Sequence, residues 1–222
     1  MLYGGAGGGG KSHLMRIVAI LLCMEVAGLQ VYLFRRVSDD LRKNHLEGAS
    51  GLRAMLAAMT GSGHCKFNDT KGIFEFWNGS KIYLCHCQHE KDMYKYQGAE
   101  IHVLLMDELT LFTEPIYKFL RGRVRLGGLK VPPKYKRKLP LILCGSNPGN
   151  IGHVWVKKTF VDFAPPMEIV RTAAADGGML RQYIPAKLAD NPTLTENDPD
   201  YESRLEGLGN PALVAAMKNG DW

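Results

Sequence analysis

The stretch that decides the fold is Gly5-Ala6-Gly7-Gly8-Gly9-Gly10-Lys11-Ser12, which matches the pattern G-x-x-x-x-G-K-S without a mismatch. Glycine is needed there because backbone N–H groups must wrap around a phosphate and some residues must adopt positive φ. The helix predicted to begin near Lys11 would direct its dipole at the same anion. Lys11 is expected to reach the β- and γ-phosphates of a nucleotide, and Ser12 to hold Mg²⁺. A flexible glycine linker is the alternative, but an apolar strand precedes the stretch and an apolar helix follows it.

A second decisive stretch is the apolar run Ile101–Met106, which ends in the adjacent carboxylates Asp107 and Glu108. In open α/β sheets ligands bind at the carboxyl ends of the strands, so both acids are expected near the phosphates. Adjacent residues on an extended chain point in different directions. Asp107 is therefore predicted to join Ser12 around Mg²⁺, and Glu108 to act as general base on the attacking water. A strand-end aspartate that caps the next helix is the alternative for Asp107 alone.

A third strand end carries a polar amide. The apolar run Leu139–Cys144 is followed closely by Ser146-Asn147-Pro148-Gly149, and Asn147 is predicted to sense the γ-phosphate and to report hydrolysis. Taken alone, this tetrapeptide is simply a turn signal.

Arginines are candidates for stabilising charge on the γ-phosphate in the transition state, an effect often worth about 10³ or more in rate. Arg121, Arg123 and Arg125 alternate along the chain and are expected to present their guanidinium groups on one side of an extended segment. Arg35 and Arg36, at the end of a predicted strand, form a second set. For any one of them, contact with DNA phosphates or with solvent is an equally good interpretation.

The net charge of +6, from 28 basic and 22 acidic residues, has a definite location. Residues 118–138 contain nine lysines and arginines and no acidic residue, whereas the rest of the chain has 19 basic and 22 acidic residues. A flexible cationic stretch suits contact with DNA backbone phosphates without sequence readout, although a merely solvated loop is the alternative. The predicted DNA-binding residues are Lys130, Lys134, Lys136, Arg137 and Lys138.

Composition and patterning set the fold class. The 222 residues are 45% hydrophobic and 23% charged, which excludes a disordered or fibrous protein. Charged and polar residues interrupt the most apolar stretch, so no membrane span is expected. Five cysteines, an odd number, and an N-terminus without a secretory pattern indicate a reduced, cytosolic protein. Apolar strands that alternate with helices predict an α/β fold with a mostly parallel sheet, and a hairpin around Asn78-Gly79-Ser80 is expected at one edge.

Together these segments resemble the ATPase domain of the large terminase subunit of tailed bacteriophages, the motor that packages DNA into a procapsid. The resemblance covers nearly the whole chain. It rests on Tyr3–Ser12, Phe34–Arg36, Phe76–Ser80, Tyr96–Glu100, Asp107-Glu108, Arg121–Arg125, Ser146–Gly149, Gly152–Lys157, Asp190–Pro192 and Gly220–Trp222.

The resemblance implies a P-loop NTPase core of the ASCE type in residues 1–164, with an added strand between the two nucleotide motifs. It also implies a small C-terminal lid subdomain in residues 165–222, whose movement Asn147 would couple to loss of the γ-phosphate. The expected cofactors are ATP and Mg²⁺. The implied partners are double-stranded DNA, the portal protein, the small terminase subunit and further copies of the chain in a ring, in the host cytoplasm.

Three features depart from the family pattern. Relatives usually have a segment before the phosphate loop that contributes to adenine binding, whereas four residues precede Gly5 here. A nuclease domain with clustered acidic residues follows the Gly-Asp-Trp region in the family, so DNA cleavage is not expected of this chain, which ends at Trp222. Many relatives have an arginine near position 97 that acts across subunits. This chain has Gln97, with Lys95 nearby, so the identity of the arginine finger stays open.

The favoured hypothesis is a Mg²⁺-dependent ATPase that translocates double-stranded DNA into a procapsid. Two other functions stay open: a P-loop helicase or recombination ATPase, and a non-catalytic nucleotide-binding assembly module. A helicase or recombination ATPase would separate strands or form filaments on single strands, whereas an assembly module would bind nucleotide without turnover.

Overall fold

The computed structural model describes residues 1–207 and 209–222, without the side chains of Thr195, Ala212 and Leu213; Leu208, within the predicted lid, lies outside the described residues. Strands occupy Leu2–Gly5 (β1), Gln30–Arg35 (β2), Cys65–Asn68 (β3), Ile73–Phe76 (β4), Lys81–His86 (β5), Val103–Met106 (β6), Leu141–Ser146 (β7), Val170–Arg171 (β8), Leu180–Arg181 (β9) and Tyr183–Ala186 (β10). Helices occupy Lys11–Glu25 (α1), Ser38–Leu41 (α2), Leu52–Met55 (α3), Ala57–Gly61 (α4), Glu114–Arg121 (α5), His153–Val156 (α6), Pro192–Asn197 (α7), Tyr201–Glu206 (α8) and Pro211–Asn219 (α9). Among the helices so described, none has the length and apolar character needed to cross a bilayer.

Eight of these strands form a mostly parallel sheet in the order β10-β1-β7-β6-β2-β5-β4-β3, flanked by helices. β1 pairs in parallel with β10 and β7, and β2 pairs in parallel with β5 and β6. β3, β4 and β5 pair antiparallel, which confirms the predicted hairpin. In this order β7 lies between β1, which leads into the phosphate loop, and β6, which leads into the acidic pair. The predicted α/β fold, including the added strand, is therefore confirmed.

The chain divides into two compact units. Unit 1 comprises Met1–Lys11, Glu108–Glu114 and Cys144–Trp222, and unit 2 comprises Ser12–Asp107 and Pro115–Leu143. The predicted division of the chain between residues 164 and 165 stays a prediction.

Unit 1 is organised around β1, whose Leu2 lies opposite Cys144 of β7 and Tyr183 of β10. The C-terminal residues pack against the end of this strand. A Cβ atom on Gly220, which has φ of +74°, would lie 2.5 Å from the Cα of Gly5, so only glycine fits there. Trp222 donates a hydrogen bond from Nε1 to the hydroxyl of Tyr183 at 3.1 Å. The C-terminal segment is thereby fixed beside the start of the phosphate loop.

The best-buried strands of unit 2 are β6 and its neighbour β2. All four residues of β6 are buried, and in β2 the side chain of Phe34 is fully buried. The hairpin between β4 and β5 is tied to α1, because the buried hydroxyl of Ser80 donates to the carbonyl of Cys23 at 2.6 Å. Burial of these apolar strands is the main stabilising contribution, and it fixes where the strand ends place their polar residues.

Candidate functional site

The glycine-rich loop that the sequence predicts to hold phosphate follows β1 in unit 1. Gly5, Gly8 and Gly10 have φ values of +132°, +73° and +70°, which L-amino acids with side chains rarely adopt. Two side chains hold the loop from outside: the hydroxyl of Tyr3 donates to the carbonyl of Gly9 at 2.8 Å, and the amide of Asn191 donates to the carbonyl of Gly8 at 2.5 Å. Asn191 belongs to the Asp190-Asn191-Pro192 stretch, whose role the sequence did not indicate.

Lys11 begins α1 and is buried, with 7% of its surface exposed. Its ammonium group donates to the carbonyl oxygen of Ala6 within the same loop. The N–H groups of Ala6 and Gly7 donate to the carbonyls of Ala186 and Met217, both at 2.8 Å. The loop is therefore held both by its own lysine and by residues outside it, and it carries a buried positive charge.

In unit 2 a buried charge cluster surrounds Asp107, which is 1% exposed. Its Oδ2 atom accepts a hydrogen bond from the hydroxyl of Ser12 at 3.0 Å. The same atom lies 2.8 Å from Nε2 of His45 and 3.7 Å from the guanidinium of Arg35. Its Oδ1 atom is buried and has no hydrogen-bond partner among the described residues. The two predicted metal ligands, Ser12 and Asp107, are thus in direct contact.

The cations beside Asp107 determine its charge state. Burial raises the pKa of this carboxyl. The hydrogen bond from His45 and the charge of the neighbouring Arg35 guanidinium lower the pKa by more than burial raises it. The net pKa lies below the usual aspartate value, so Asp107 is ionised at neutral pH. Arg16, which is 5% exposed, donates from its guanidinium to the carbonyl of Asn44 at 2.8 Å. Burial lowers the pKa of Arg16, and the charge of Asp107 opposes that shift.

His45 was not predicted from the sequence. Helix α2 ends at Leu41, and a π-helical turn follows it at Arg42–Leu46. The wider turn carries His45, which is fully buried, in contact with Asp107. Single π-turns occur often at functional sites, but no sequence pattern signals one.

Glu108, the predicted general base, follows Asp107 and belongs to unit 1. Its backbone has φ of +55° and ψ of +56°, the left-handed conformation, and it precedes a short 3₁₀ helix at Leu109–Leu111. A glutamate in this conformation stores strain of order 1 kcal/mol or more, and such strained residues cluster at active sites. This outlier is an independent reason to assign the position a functional role.

Asn147, the predicted γ-phosphate sensor, lies in a polar network within unit 1. Ser146 accepts a hydrogen bond from the N–H of Thr110 at 3.0 Å, and the hydroxyl of Thr110 donates to the carbonyl of Asn147 at 3.1 Å. The side-chain Oδ1 of Asn147 is buried without a hydrogen-bond partner in the described part of the chain. Thr110, two residues after Glu108, is therefore hydrogen-bonded to the end of β7 and to Asn147 after it.

The three candidate finger arginines do not lie along one extended segment. Arg121 is the last residue of α5, and its guanidinium stands 5.8 Å from the ring of Tyr117. Arg123 lies 4.8 Å from the ring of Phe119 and donates to the carbonyl of Gln97 at 3.2 Å. Arg125 forms an ion pair with Glu100 at 3.6 Å. Because α5 ends at Arg121 and a turn follows it, the three guanidinium groups contact different partners. The prediction that they lie along one side of an extended segment is therefore wrong.

The predicted DNA-binding residues Lys130, Lys134, Lys136, Arg137 and Lys138 are all exposed. Lys134 is ion-paired with Glu25, and the ammonium groups of Lys134 and Lys138 lie 5.0 and 5.7 Å from the ring of Tyr135. A short 3₁₀ helix at Pro133–Tyr135 gives part of this stretch local order. The stretch presents positive charge to solvent, as expected from its composition.

Comparison with known proteins rests on structure. No protein-family model matches the chain, and no curated protein matches it. The large terminase from a thermophilic bacteriophage matches 100% of the chain with a TM-score of 0.69 and 15% sequence identity. A structure of that terminase in complex with ATP-γ-S matches with a TM-score of 0.66 and 16% identity. The chain spans about half, 48%, of the length of that terminase.

A second phage protein matches over most of its own length. The large terminase ATPase domain of Thermus phage P74-26 matches 100% of this chain and 87% of that domain, with a TM-score of 0.57 and 13% identity. At these identities the likeness concerns the fold. This chain therefore has the fold of the ATPase domain of bacteriophage large terminases.

Proposed function

We propose that this chain is the Mg²⁺-dependent ATPase domain of a viral DNA-packaging terminase large subunit, which hydrolyses ATP to move double-stranded DNA into a procapsid. One observation carries the proposal: the hydroxyl of Ser12, next to the phosphate-loop lysine, meets Asp107, the first acid after β6, at 3.0 Å. These residues are 95 positions apart in the chain, yet both are the types that hold a nucleotide-bound metal. The terminase fold supports the same conclusion.

The residues present fit a magnesium ion. Mg²⁺ prefers oxygen ligands and is usually held by one or two carboxylates together with substrate phosphates and water. Ser12 offers a hydroxyl, and Asp107 offers a buried Oδ1 atom that no described residue uses as a hydrogen-bond acceptor. Bound by Ser12 and Asp107, the ion would neutralise charge that develops on the phosphates.

The remaining roles fall to residues of this chain. Lys11 brings a positive charge to the β- and γ-phosphates, and the glycine-rich backbone from Gly8 to Gly10 offers N–H donors to them. Glu108 accepts the proton of the attacking water. Asn147 senses the γ-phosphate and passes its loss to the lid in residues 165–222. Arg121, Arg123 and Arg125 remain candidates for stabilising the transition state, within the chain or from a neighbouring copy.

The DNA and protein partners follow from the family resemblance. The exposed cations of residues 130–138 would contact the phosphate backbone of duplex DNA, and this contact carries no sequence preference. The portal protein, the small terminase subunit and further copies of the chain in a ring would complete the motor on the procapsid in the host cytoplasm.

Nucleotide binding and hydrolysis test the catalytic part of the proposal. Glu108→Gln protein should bind ATP as wild-type protein does, but its turnover should fall about 10²–10⁴-fold, because a glutamine cannot accept the proton. Glu168→Gln, which changes an exposed glutamate, is the matched control and should keep wild-type turnover. Turnover should be measured on the chain alone and on the chain assembled with portal and duplex DNA. Activity in the assembly alone would imply that a second subunit supplies an arginine to the site. Wild-type turnover by Glu108→Gln protein in that assembly would remove Glu108 from its role.

The choice of nucleic acid tests the motor part. A packaging motor should be stimulated by duplex DNA in the presence of portal, with movement of DNA into procapsids. Strand separation or filament formation on single strands would instead indicate a helicase or recombination ATPase. ATP binding without turnover under every condition would indicate an assembly module.

A further inference from the structure

The contact between His45 and Asp107 stands out among the buried polar contacts of unit 2. The His45 side chain is 0% exposed and that of Asp107 is 1% exposed, with 2.8 Å between Nε2 and Oδ2. The π-helical turn at Arg42–Leu46 delivers the imidazole, so the backbone departs from a regular helix at the residue that makes the contact. Burying two polar side chains in direct contact costs desolvation, which a residue with only a packing role would avoid.

The hydrogen-bond chemistry fixes which atom carries the proton. An ionised carboxylate can only accept hydrogen bonds, so Nε2 of His45 must donate to Oδ2. Ser12 donates to the same oxygen at 3.0 Å, and the Arg35 guanidinium lies 3.7 Å from it. All of these contacts fall on Oδ2, and Oδ1 is left buried without a hydrogen-bond partner in the described part of the chain. Because all the donors contact Oδ2, they fix the orientation of the carboxylate group and leave Oδ1 available to another ligand.

We infer that His45 is a positioning residue for the metal carboxylate: its Nε2–H holds Oδ2 of Asp107 so that Oδ1 is presented to the nucleotide-bound cation. This inference rests on the proposed function, because it needs a metal at Ser12 and Asp107. It assigns no step of the reaction to His45, which acts only through Asp107. Partners that orient a metal ligand typically change metal affinity about 10–100-fold when they are removed.

The test uses the whole chain, with Mn²⁺ as the probe and ATP-γ-S as the nucleotide, and measures Mn²⁺ affinity by electron paramagnetic resonance. His45→Leu fills the space without a donor and should weaken Mn²⁺ binding about tenfold or more. His45→Gln places an amide N–H at a similar reach and should stay within about threefold of wild type. Metal-free nucleotide affinity, measured in EDTA, should change less than about twofold in both variants.

A matched control is available in the same unit. His102 is 3% exposed, accepts the N–H of Gln30 at Nδ1 at 2.9 Å, and lies 3.1 Å from the carboxylate of Glu100. It is thus a buried histidine with a carboxylate partner that is not Asp107. His102→Leu should leave Mn²⁺ affinity within about twofold of wild type, whatever it does to stability.

Several outcomes would overturn the inference. Wild-type Mn²⁺ affinity in the His45→Leu protein would do so, as would an equal loss of Mn²⁺ and metal-free nucleotide binding, which would mean general damage to the site. If the leucine variant does not fold, His45→Asn replaces it, because the asparagine side chain is one bond shorter than that of glutamine. Equal Mn²⁺ affinity of the Asn and Gln variants would then refute the role. Failure of every variant to fold would make the contact structural. A wild-type chain that binds no Mn²⁺ with ATP-γ-S would instead overturn the proposed function, and this role with it.

Discussion

Two groups of positive side chains in unit 2 differ in their surroundings. Arg16 and Arg35 are largely buried, and the carboxylate of Asp107 lies 3.7 Å from the Arg35 guanidinium. The cations of residues 130–138 are exposed to solvent, and among them Lys134 is ion-paired with Glu25. Both groups carry positive charge in one chain, but water screens only the second.

The difference separates two uses of charge. A buried charge is costly unless a partner compensates it, so Asp107 and its neighbouring cations hold one another in a fixed geometry, as the proposed metal site requires. A solvated charge costs little and keeps its freedom, so it can meet any phosphate along a DNA backbone. The buried group should therefore govern stability and metal binding, whereas the exposed group should govern salt-dependent DNA binding.

The largest effect is expected from removing the central carboxylate. Asp107→Ala leaves the Arg35 guanidinium and the His45 imidazole without their shared acceptor, so the free energy of unfolding should fall by about 3–5 kcal/mol. Urea unfolding of the metal-free protein measures it. Asp69→Ala is the matched control, since Asp69 also bonds two arginines, Arg42 at 2.9 Å and Arg53 at 2.7 Å, but is exposed. An equal loss of stability in both variants would abolish the distinction between the two groups.

Acid should reveal the same cluster with a smaller effect. Because the folded pKa of Asp107 lies below the unfolded value near 3.8, its contribution to stability is complete above that value. The contribution is then lost as pH falls toward and through the folded pKa. Between pH 5 and pH 2, the stability of metal-free wild-type protein should fall more steeply than that of Asp107→Asn protein, as followed by urea unfolding at each pH. Parallel curves would mean that the cations do not stabilise the ionised carboxylate.

Several elements could be predicted from the sequence because local signals decide them. The glycine-rich loop, the apolar strands before Asp107 and Asn147, and the hairpin around Asn78-Gly79-Ser80 each rest on composition within a short window. Parallel pairing then follows from burial on both faces. The α/β fold and the meeting of Ser12 with Asp107 were predicted for this reason.

Other elements depend on contacts that no short window contains. β10 includes Pro185, which argues against a strand, yet this strand lies at the edge of the sheet, where proline is tolerated. The π-turn that contains His45 brings it into contact with Asp107, which lies 62 positions further along the chain. Long-range contacts decide both, so sequence patterns alone did not reveal them.

Neutralising exposed cations should affect DNA binding and leave folding nearly unchanged. In a triple variant with Lys130, Lys136 and Arg137 changed to glutamine, the slope of log K against log salt for duplex DNA should fall by about 0.9 for each charge that contacts a phosphate. Binding titrations at several salt concentrations measure the slope. Three exposed lysines outside this stretch, Lys43, Lys66 and Lys71, changed to glutamine provide the control. Equal slopes in the two triple variants would show that the positive charge acts without regard to its location.

The smallest effect is expected at the ion pair between Lys134, a member of the exposed group, and Glu25. The two side chains are 60% and 38% exposed, so water screens their attraction and ordering both chains costs entropy. A double-mutant cycle with Lys134→Met and Glu25→Gln should give a coupling energy of about 0.2–1 kcal/mol in urea unfolding. Because Lys134 would be released from its partner, Glu25→Gln should also strengthen DNA binding slightly. A coupling as large as the loss in Asp107→Ala protein would place Lys134 with the buried charges, and the division between fixed and mobile cations would then have to be redrawn within residues 130–138.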